Sequence, residues 1–280
     1  MNKALAIFEL MRLDKPIGIY LLLWPALLAL VISTNGDFEY ADLLIVIAGS
    51  ILVRSAGCVI NDIWDKDLDG GVERTKTRPI PSKKLSISES WTVFAILGVL
   101  SLMLLSLTNT NTIYVSICFG LMIVIYPLTK RFFIGPQIFL GLTFNPTIII
   151  YAMTNELNNP TMIFLYFAIA AKTIAFDSFY GLCDIEDDKK LGINSTPLWW
   201  GSKTLSIIAI LQFAVISLLL IVGLKAELSS AWYIGIILLS GFYFYQHRLA
   251  SQKNFLLAFK NNHWASLYLL MLSGFCFLII

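Results

Sequence analysis

The sequence predicts an all-α integral membrane protein with nine transmembrane helices, and three observations predict it: composition, the spacing of apolar runs, and the distribution of cations. Of 280 residues, 58% are hydrophobic and 14% charged, against roughly 45–50% and about 25% in soluble domains. With so little polar surface, most of the chain must face lipid. A spanning helix needs about 20 mainly apolar residues. Such runs fall at 16–34, 41–60, 88–107, 112–129, 134–153, 160–180, 204–223, 231–247 and 264–280. The fifth contains Pro136 and Pro146 and is expected to kink, which membrane helices tolerate when neighbours satisfy the freed backbone groups. Before the first span, "MNKALAIFELMRLDKPIG" has no secretory cleavage site. It reads as a short amphipathic helix on the membrane surface, with Leu5, Phe8, Leu10 and Met11 near one side.

The cations support the same count and set an orientation. With nine spans, seventeen of the 20 Lys and Arg residues fall in one set of connections; the other set holds Lys225 alone, while Arg54 and Lys172 lie within spans. This puts the N-terminus in the cytoplasm and the C-terminus outside. Residues 1–280 read as one domain. A net charge of +2 gives no case for a nucleic-acid partner. Cys58, Cys118, Cys183 and Cys276 show no metal-ligand or disulfide spacing.

The long cytoplasmic connections follow the second and sixth spans, and both begin with acids. The first reads "NDIWDKDLDG" (61–70). At about 100° per residue, Asn61, Asp65 and Asp69 fall on a stripe about 80° wide, with Asp62 just beside it. The second reads "FDSFYGLCDIEDDKKLG" (176–192), where Asp177, Asp184 and Asp188 fall within about 40° of one another. Carboxylates packed this closely repel, so they stay ionised only beside positive charge. Magnesium takes one or two carboxylates and leaves its other positions to water and phosphate; two such rows across a cavity suit Mg²⁺ ions holding a diphosphate. Loop acids are ordinarily just solvated, and Asp67, Glu73, Glu186 and Asp187, which point off the stripes, keep that reading. The register occurring twice, with Asp177 inside a span, favours a site. Basic groups follow each cluster: Arg74, Lys76 and Arg78 after the first, and Lys189 after the second. They are suited either to phosphate oxygens or to lipid headgroups. Arg54, seven residues before Asn61, lies near the same face, with a buried ion pair as its structural alternative; Lys172 reads likewise.

These motifs resemble the UbiA superfamily of membrane prenyltransferases. Asn61, Asp65 and Asp69 match its first aspartate-rich motif; Asp184 and Asp188, preceded by Asp177 and Tyr180, match the second. "LMRLDKPIGIYLLLWP" (10–25), "RSAGCVINDIWDKDLDG" (54–70), "TRPIPS" (77–82), "YPLTKR" (126–131), "GINST" (192–196) and "FKNNHWAS" (259–266) look like its para-hydroxybenzoate branch. The resemblance covers about residues 8–266. One departure stands out: "FDSFY" (176–180) replaces an expected Tyr-Asp-Thr-Gln-Tyr, so Phe176 and Phe179 stand where groups able to hydrogen-bond are expected.

The resemblance implies a central cavity open to lipid, an active site at the cytoplasmic face of a bacterial inner membrane, and Mg²⁺ as cofactor. The metal would be held by Asn61, Asp65, Asp69, Asp184 and Asp188. The implied reaction moves a polyprenyl group from polyprenyl diphosphate to the ring carbon ortho to the hydroxyl of 4-hydroxybenzoate, an early step of ubiquinone biosynthesis, in association with other enzymes of that pathway. Arg74, Arg78, Lys130, Arg131 and Lys189 are candidates to share the diphosphate charge or orient the acceptor; Trp24, Tyr126, Phe144 and Tyr180 are candidate neighbours of an allylic cation. For the acceptor carboxylate, Arg131 is the first choice, with Arg12 and Lys15 second; homogentisate- or dihydroxynaphthoate-type acceptors are alternatives. His247 and His263 show no partner pattern. Two rival readings fare worse. A CDP-alcohol phosphotransferase start is hinted at by "DGGVER" (69–74), but its downstream acids are missing. An ion or metabolite transporter would carry its acids near the midplane, not at one face.

Overall fold

The computed structural model describes residues 3–71 and 74–278; Glu73 and the last two residues of the ninth expected span lie outside them. All regular structure among the described residues is helical. The helices are α1 (Lys3–Leu10), α2 (Ile17–Ser33), α3 (Tyr40–Trp64), α4 (Ile87–Leu105), α5 (Thr110–Thr129), α6 (Pro136–Thr143), α7 (Thr147–Met153), α8 (Thr161–Leu191), α9 (Thr196–Trp200), α10 (Thr204–Lys225), α11 (Ser230–Ser251) and α12 (Phe255–Leu278).

Among the described residues, six stretches are long and apolar enough to cross a membrane: Tyr40–Trp64, Ile87–Leu105, Thr110–Thr129, Pro136–Met153, Thr161–Leu191 and Thr196–Lys225. The nine-span count is therefore not reproduced by length and composition alone. At 17 residues α2 is shorter, and polar residues such as Gln246 and His247 in α11 or Asn261 to His263 in α12 dilute their apolarity. The outward surface is apolar: Phe213 and Phe244 are 71% and 75% exposed. Such exposure would be costly in water and is favourable in lipid. Multi-pass insertion follows.

The fifth expected span is broken rather than kinked. Pro146 removes a backbone donor, and α6 stops at Thr143. Asn145 Nδ2 donates to the Tyr166 carbonyl at 2.8 Å, and Tyr166 Oη donates to the Leu142 carbonyl at 2.9 Å. The Leu142 carbonyl at the break is thus met from α8, and Asn145, whose Oδ1 accepts from the Thr147 N–H at 3.2 Å, ties the break to it, as a lipid-surrounded chain requires. The break leaves Phe144 at a cavity wall.

Contacts close a circuit from α2 through α3, α5, α6, α8 and α12 back to α2, with α4 on α3 and α10 on α8 and α11. Opposite the acidic loops, Asn109 Nδ2 donates to the carbonyls of Ala152 and Met153 at 2.8 and 3.0 Å. At that same end a Cβ on Gly36 would come within 3.0 Å of Phe277. The N-terminal helix departs from its expected one-sided character. Ala6 and Leu10 pack under it against Val59, Ile63 and Leu85, while Leu5 and Phe8 are exposed. Lys84 to Glu9, at 2.9 Å, ties it to the chain before α4. That helix starts with a capping box of Ser86 and Glu89.

At α8 the chain runs 31 residues without a break, about 46 Å at 1.5 Å per residue. This exceeds a hydrocarbon core of about 30 Å, so its last turns stand clear of the lipid. Lys189 and Lys190 in the final turn and left-handed Gly192 (φ 67) end it.

Polar cross-links replace the hydrophobic drive that lipid removes. Gln212 Nε2 donates to Gln246 Oε1 (2.8 Å), Gln246 Nε2 to Asn261 Oδ1 (3.0 Å), and His247 Nε2 to Gln212 Oε1 (2.9 Å). The network joins α10, α11 and α12. Gln246→Ala strands the amide of Gln212 and the carbonyl of Asn261; a stability loss of about 1–2 kcal/mol is expected, read as a lower unfolding midpoint in detergent, whereas Ser240→Ala at the lipid face should leave it unchanged.

Candidate active site

The first acidic cluster forms where α3 stops. Asp65 is its C-cap, with its N–H on the Asn61 carbonyl at 2.9 Å. The N–H groups of Leu68 and Asp69 both return to the Asp65 carbonyl (2.9 and 2.8 Å), and a 3-10 turn covers Asp69–Gly71. The expected helical stripe therefore ends at Trp64, and a tight turn rather than a helix brings Asp69 back beside Asp65. The second cluster does keep its helical face, because α8 is continuous through Asp177, Asp184 and Asp188. All six acids, Asp62 included, line one cavity of about 1340 Å³. Its other end is walled by Val46, Leu105, Phe119, Ile150 and Met153.

Cations hold the acids. Asp62 is 1% exposed. It accepts from Arg12 Nη2 at 2.9 and 2.7 Å and from Arg78 Nη1 at 3.0 Å. Arg78 Nη1 also reaches Asp69 at 2.8 Å. Lys130 Nζ lies 2.7 Å from Asp65 Oδ2, which also accepts from Asn61 Nδ2 at 3.0 Å. Arg74 clasps Asp184 through both Nε and Nη2, donates to the Tyr180 hydroxyl, and lies 4.4 Å over that ring. Burial pushes the Asp69 carboxyl above its usual range; Arg78 pulls it back only in part, and Asp62 and Asp65 add to the rise. Burial also works against the charge on Lys130 and Arg78, but Asp65 for the first, and Asp62 and Asp69 for the second, outweigh it and hold both cations above their usual values.

Among the described residues, no three His, Cys, Asp or Glu side chains converge closely enough to hold a metal alone. The donor set still fits a hard divalent cation, which prefers oxygen and shares its shell with phosphate and water. Asp65 Oδ1 is buried without a partner. Asp177 and Asp188 line the cavity and form no ion pair among the described residues.

Of the other expected site residues, Lys15 stands exposed at the cavity rim, and Tyr126, Phe144, Tyr180 and Arg54 line the wall. Three expectations are corrected. Arg131 does not line the cavity; its Nη2 caps α3 by donating to the Trp64 carbonyl at 2.6 Å. Lys189 is exposed in the last turn of α8, off the wall, where it meets the helix dipole instead. Trp24 turns away, donating to His263 Nδ1 at 2.9 Å. The sequence reading under-rated Asp62, which lies 100° from Asn61 on a helix and so off the acidic stripe. That offset aims it at Arg12 across the α1–α2 turn. Gly18, where a Cβ would come 2.4 Å from Arg54 Nε, was also missed.

Fold and site together define a multi-pass helical membrane protein with a charged pocket at one end of its cavity. The chain belongs to the UbiA prenyltransferase family, whose model matches residues 22–277. It is 40% identical over 265 residues to a 4-hydroxybenzoate octaprenyltransferase of Pseudomonas aeruginosa (strain LESB58), covering 92% of this chain and 89% of that one. It is 38% identical over 276 residues to the 4-hydroxybenzoate octaprenyltransferase of Vibrio campbellii, covering 96% of each. Among solved structures, the apo UbiA homologue of Aeropyrum pernix K1 superposes with a TM-score of 0.80 at 22% identity, over 90% of this chain and 94% of that one. The Archaeoglobus fulgidus homologue bound to GPP and Mg²⁺ gives 0.76 at 18%, over 98% and 100%. At such identities the likeness is one of fold.

Asp62→Ala leaves Arg12 and Arg78 without their shared counter-ion. Breaking a buried pair from one side costs about 3–5 kcal/mol; a marked drop in thermal stability is expected, larger than that of Asp187→Ala on the outer face of α8, with both measured in the same detergent.

Proposed function

We propose that this protein transfers the polyprenyl group of a polyprenyl diphosphate to the ring carbon ortho to the hydroxyl of 4-hydroxybenzoate, an early membrane step of ubiquinone biosynthesis. The observation that carries this reading is the meeting of two acidic clusters, from the end of α3 and from α8, at one end of a cavity whose other end is apolar. The names of the relatives support the acceptor and the reaction. The homologue bound to GPP and Mg²⁺ supports the donor class and the metal.

Asn61, Asp65, Asp69, Asp184 and Asp188 would hold Mg²⁺, which when bound neutralises the diphosphate as leaving group. Arg74, Arg78 and Lys130, now neutralising these acids, would then be free to turn to phosphate oxygens. The bond between the prenyl carbon and the diphosphate breaks with its electron pair on the leaving group. The acceptor's ring carbon forms the new carbon–carbon bond, and its proton leaves to restore the aromatic ring. Walls of Tyr126, Phe144 and Tyr180 give the electron-poor allylic carbon aromatic faces and keep water from it. The apolar part of the cavity takes the tail. In this reading nine helices span a bacterial inner membrane as one domain, with the N-terminus and acidic loops in the cytoplasm and the C-terminus outside; other enzymes of quinone biosynthesis would be its neighbours.

The test is prenyl transfer in lipid vesicles with labelled 4-hydroxybenzoate, a long polyprenyl diphosphate and Mg²⁺. Product should form, disappear with a chelator, and fall by at least about 100-fold in Asp65→Asn and in Asp184→Asn. Solute flux that needs the same acids, with no product from any aromatic acceptor, would overturn the reading.

A further inference from the structure

The two products of prenyl transfer belong in different solvents. One is a lipid; the other, the diphosphate, is a small anion of high charge. The apolar end of the main cavity suits the first and is closed to the second, because moving a charge into hydrocarbon is costly. The diphosphate therefore needs a way to water from the acids themselves, and a second cavity lies beside them. It has a volume of about 320 Å³, the space of about ten waters at about 30 Å³ each, which is room for an inorganic diphosphate with part of its hydration shell. Leu68, Lys130 and Ile193 line both cavities and so form the partition between them. These three are partly buried, whereas Asp67, Arg131 and Gly192, which line the second cavity alone, are exposed.

The partition is built on both acidic clusters. The Leu68 N–H donates to the Asp65 carbonyl at 2.9 Å, and the Ile193 N–H donates to the Asp188 carbonyl at 3.0 Å. Each cluster thus fixes one apolar side chain of the partition. Between them stands Lys130, with Nζ 2.7 Å from Asp65 Oδ2 and its carbonyl accepting from the Asn194 N–H at 3.0 Å. Charge favours this side as well. The second cavity holds Lys130 and Arg131 against Asp67 alone. At the rim of the main cavity beside the α1–α2 turn the charges cancel, with Lys84 on Glu9 at 2.9 Å and Lys15 by Asp14 at 4.0 Å.

We infer that the diphosphate set free by the reaction leaves for water through this second cavity, past Lys130 and between Leu68 and Ile193, and that these two side chains set its rate of passage. This rests on the transfer reading above. The ligand of the second cavity is inorganic diphosphate with the divalent cation that accompanies it. Lys130 lines both cavities, so its one charge can stay with the anion as it crosses. Two apolar side chains in place of an open mouth keep bulk water from the main cavity between departures.

The experiment follows exchange of labelled inorganic diphosphate with Mg²⁺ on the full chain in lipid nanodiscs, with association and dissociation rates read separately. An obstacle on a route slows passage equally in both directions and leaves the equilibrium alone, whereas damage to the site shifts the equilibrium. In Leu68→Trp and in Ile193→Trp both rates should fall about tenfold, within the span over which rates vary among related variants. The dissociation constant should stay within about twofold of wild type, the scatter of surface changes, which also shows that each variant is folded. Leu68→Ala should raise both rates together. Asp14→Trp, at the other rim, should leave them unchanged, and affinity for the polyprenyl diphosphate should be the same in all four. A wild type that holds no inorganic diphosphate overturns the inference, as do Leu68→Trp and Ile193→Trp proteins that exchange it at wild-type rates, a change confined to one rate, or slowing by Asp14→Trp instead. The transfer reading is scored separately by product. If both rates fall together but no aromatic acceptor is prenylated, that reading fails and this route stands; if product forms while Leu68→Trp and Ile193→Trp exchange diphosphate like wild type, the reverse holds.

Discussion

Carboxylates set beside a lipid-facing cavity must be neutralised, and the rest of this structure follows from how that is done. Asp62 sits almost fully buried between Arg12 and Arg78. One acid thus ties the α1–α2 turn, the end of α3 and the loop that follows into a single body. Asp65 binds the end of α5 through Lys130, whose carbonyl in turn accepts from the Asn194 N–H of the loop after α8 at 3.0 Å. Arg74 crosses to Asp184. The charge pairs are therefore also the joints of the acidic end. Buried ion pairs add little net stability, but removing one member strands the other, so this end of the protein is specified by mutual dependence among its charges.

Below the charged end the problem changes from charge to backbone. A cavity wall in lipid must still satisfy every peptide group, which is why at the α6–α7 break Tyr166 donates to the Leu142 carbonyl and Asn145 accepts from the Thr147 N–H. The break turns a spanning segment into two short helices with Phe144 between them. Continuity matters equally in α8. A single rod carries Asp177, Asp184 and Asp188, so their spacing is fixed by helix geometry, whereas the spacing of Asp65 and Asp69 depends on a turn. The two halves of the acidic site thus differ in stiffness: one is a rigid comb and the other a loop held by its cations.

Much of this was legible in the residues. The apolar runs and the one-sided cations announced a membrane protein, and both acidic clusters meet at one cavity, although only the second keeps its helical register. Asp177, Asp184 and Asp188 kept the helical register that marked them, while Asp65 and Asp69 reach the cavity through a turn; Asp62 carried no periodic signal, because its value lies in contacts 50 residues back and 16 forward. The nine-span count outran what length and apolarity alone return, since α11 and α12 carry polar side chains for interhelical bonds. Side-chain direction was the least readable quantity. Arg131 and Lys189 have the right charge near the right motifs, yet one reaches a carbonyl and the other water. Gly18 offered no pattern, because its contribution is the absence of an atom.

The cap on α3 has a consequence for how loss of activity is to be interpreted. A helix ends with unmet carbonyls and a partial negative charge, and α3 ends within one residue of Asp65. Arg131 supplies both a donor and a positive charge there. Without it, the last turn would fray, repulsion between that terminus and the neighbouring acids would grow, and Asp65 would lose its fixed position. An inactive Arg131 variant would therefore mimic a lost ligand while reporting a lost helix end.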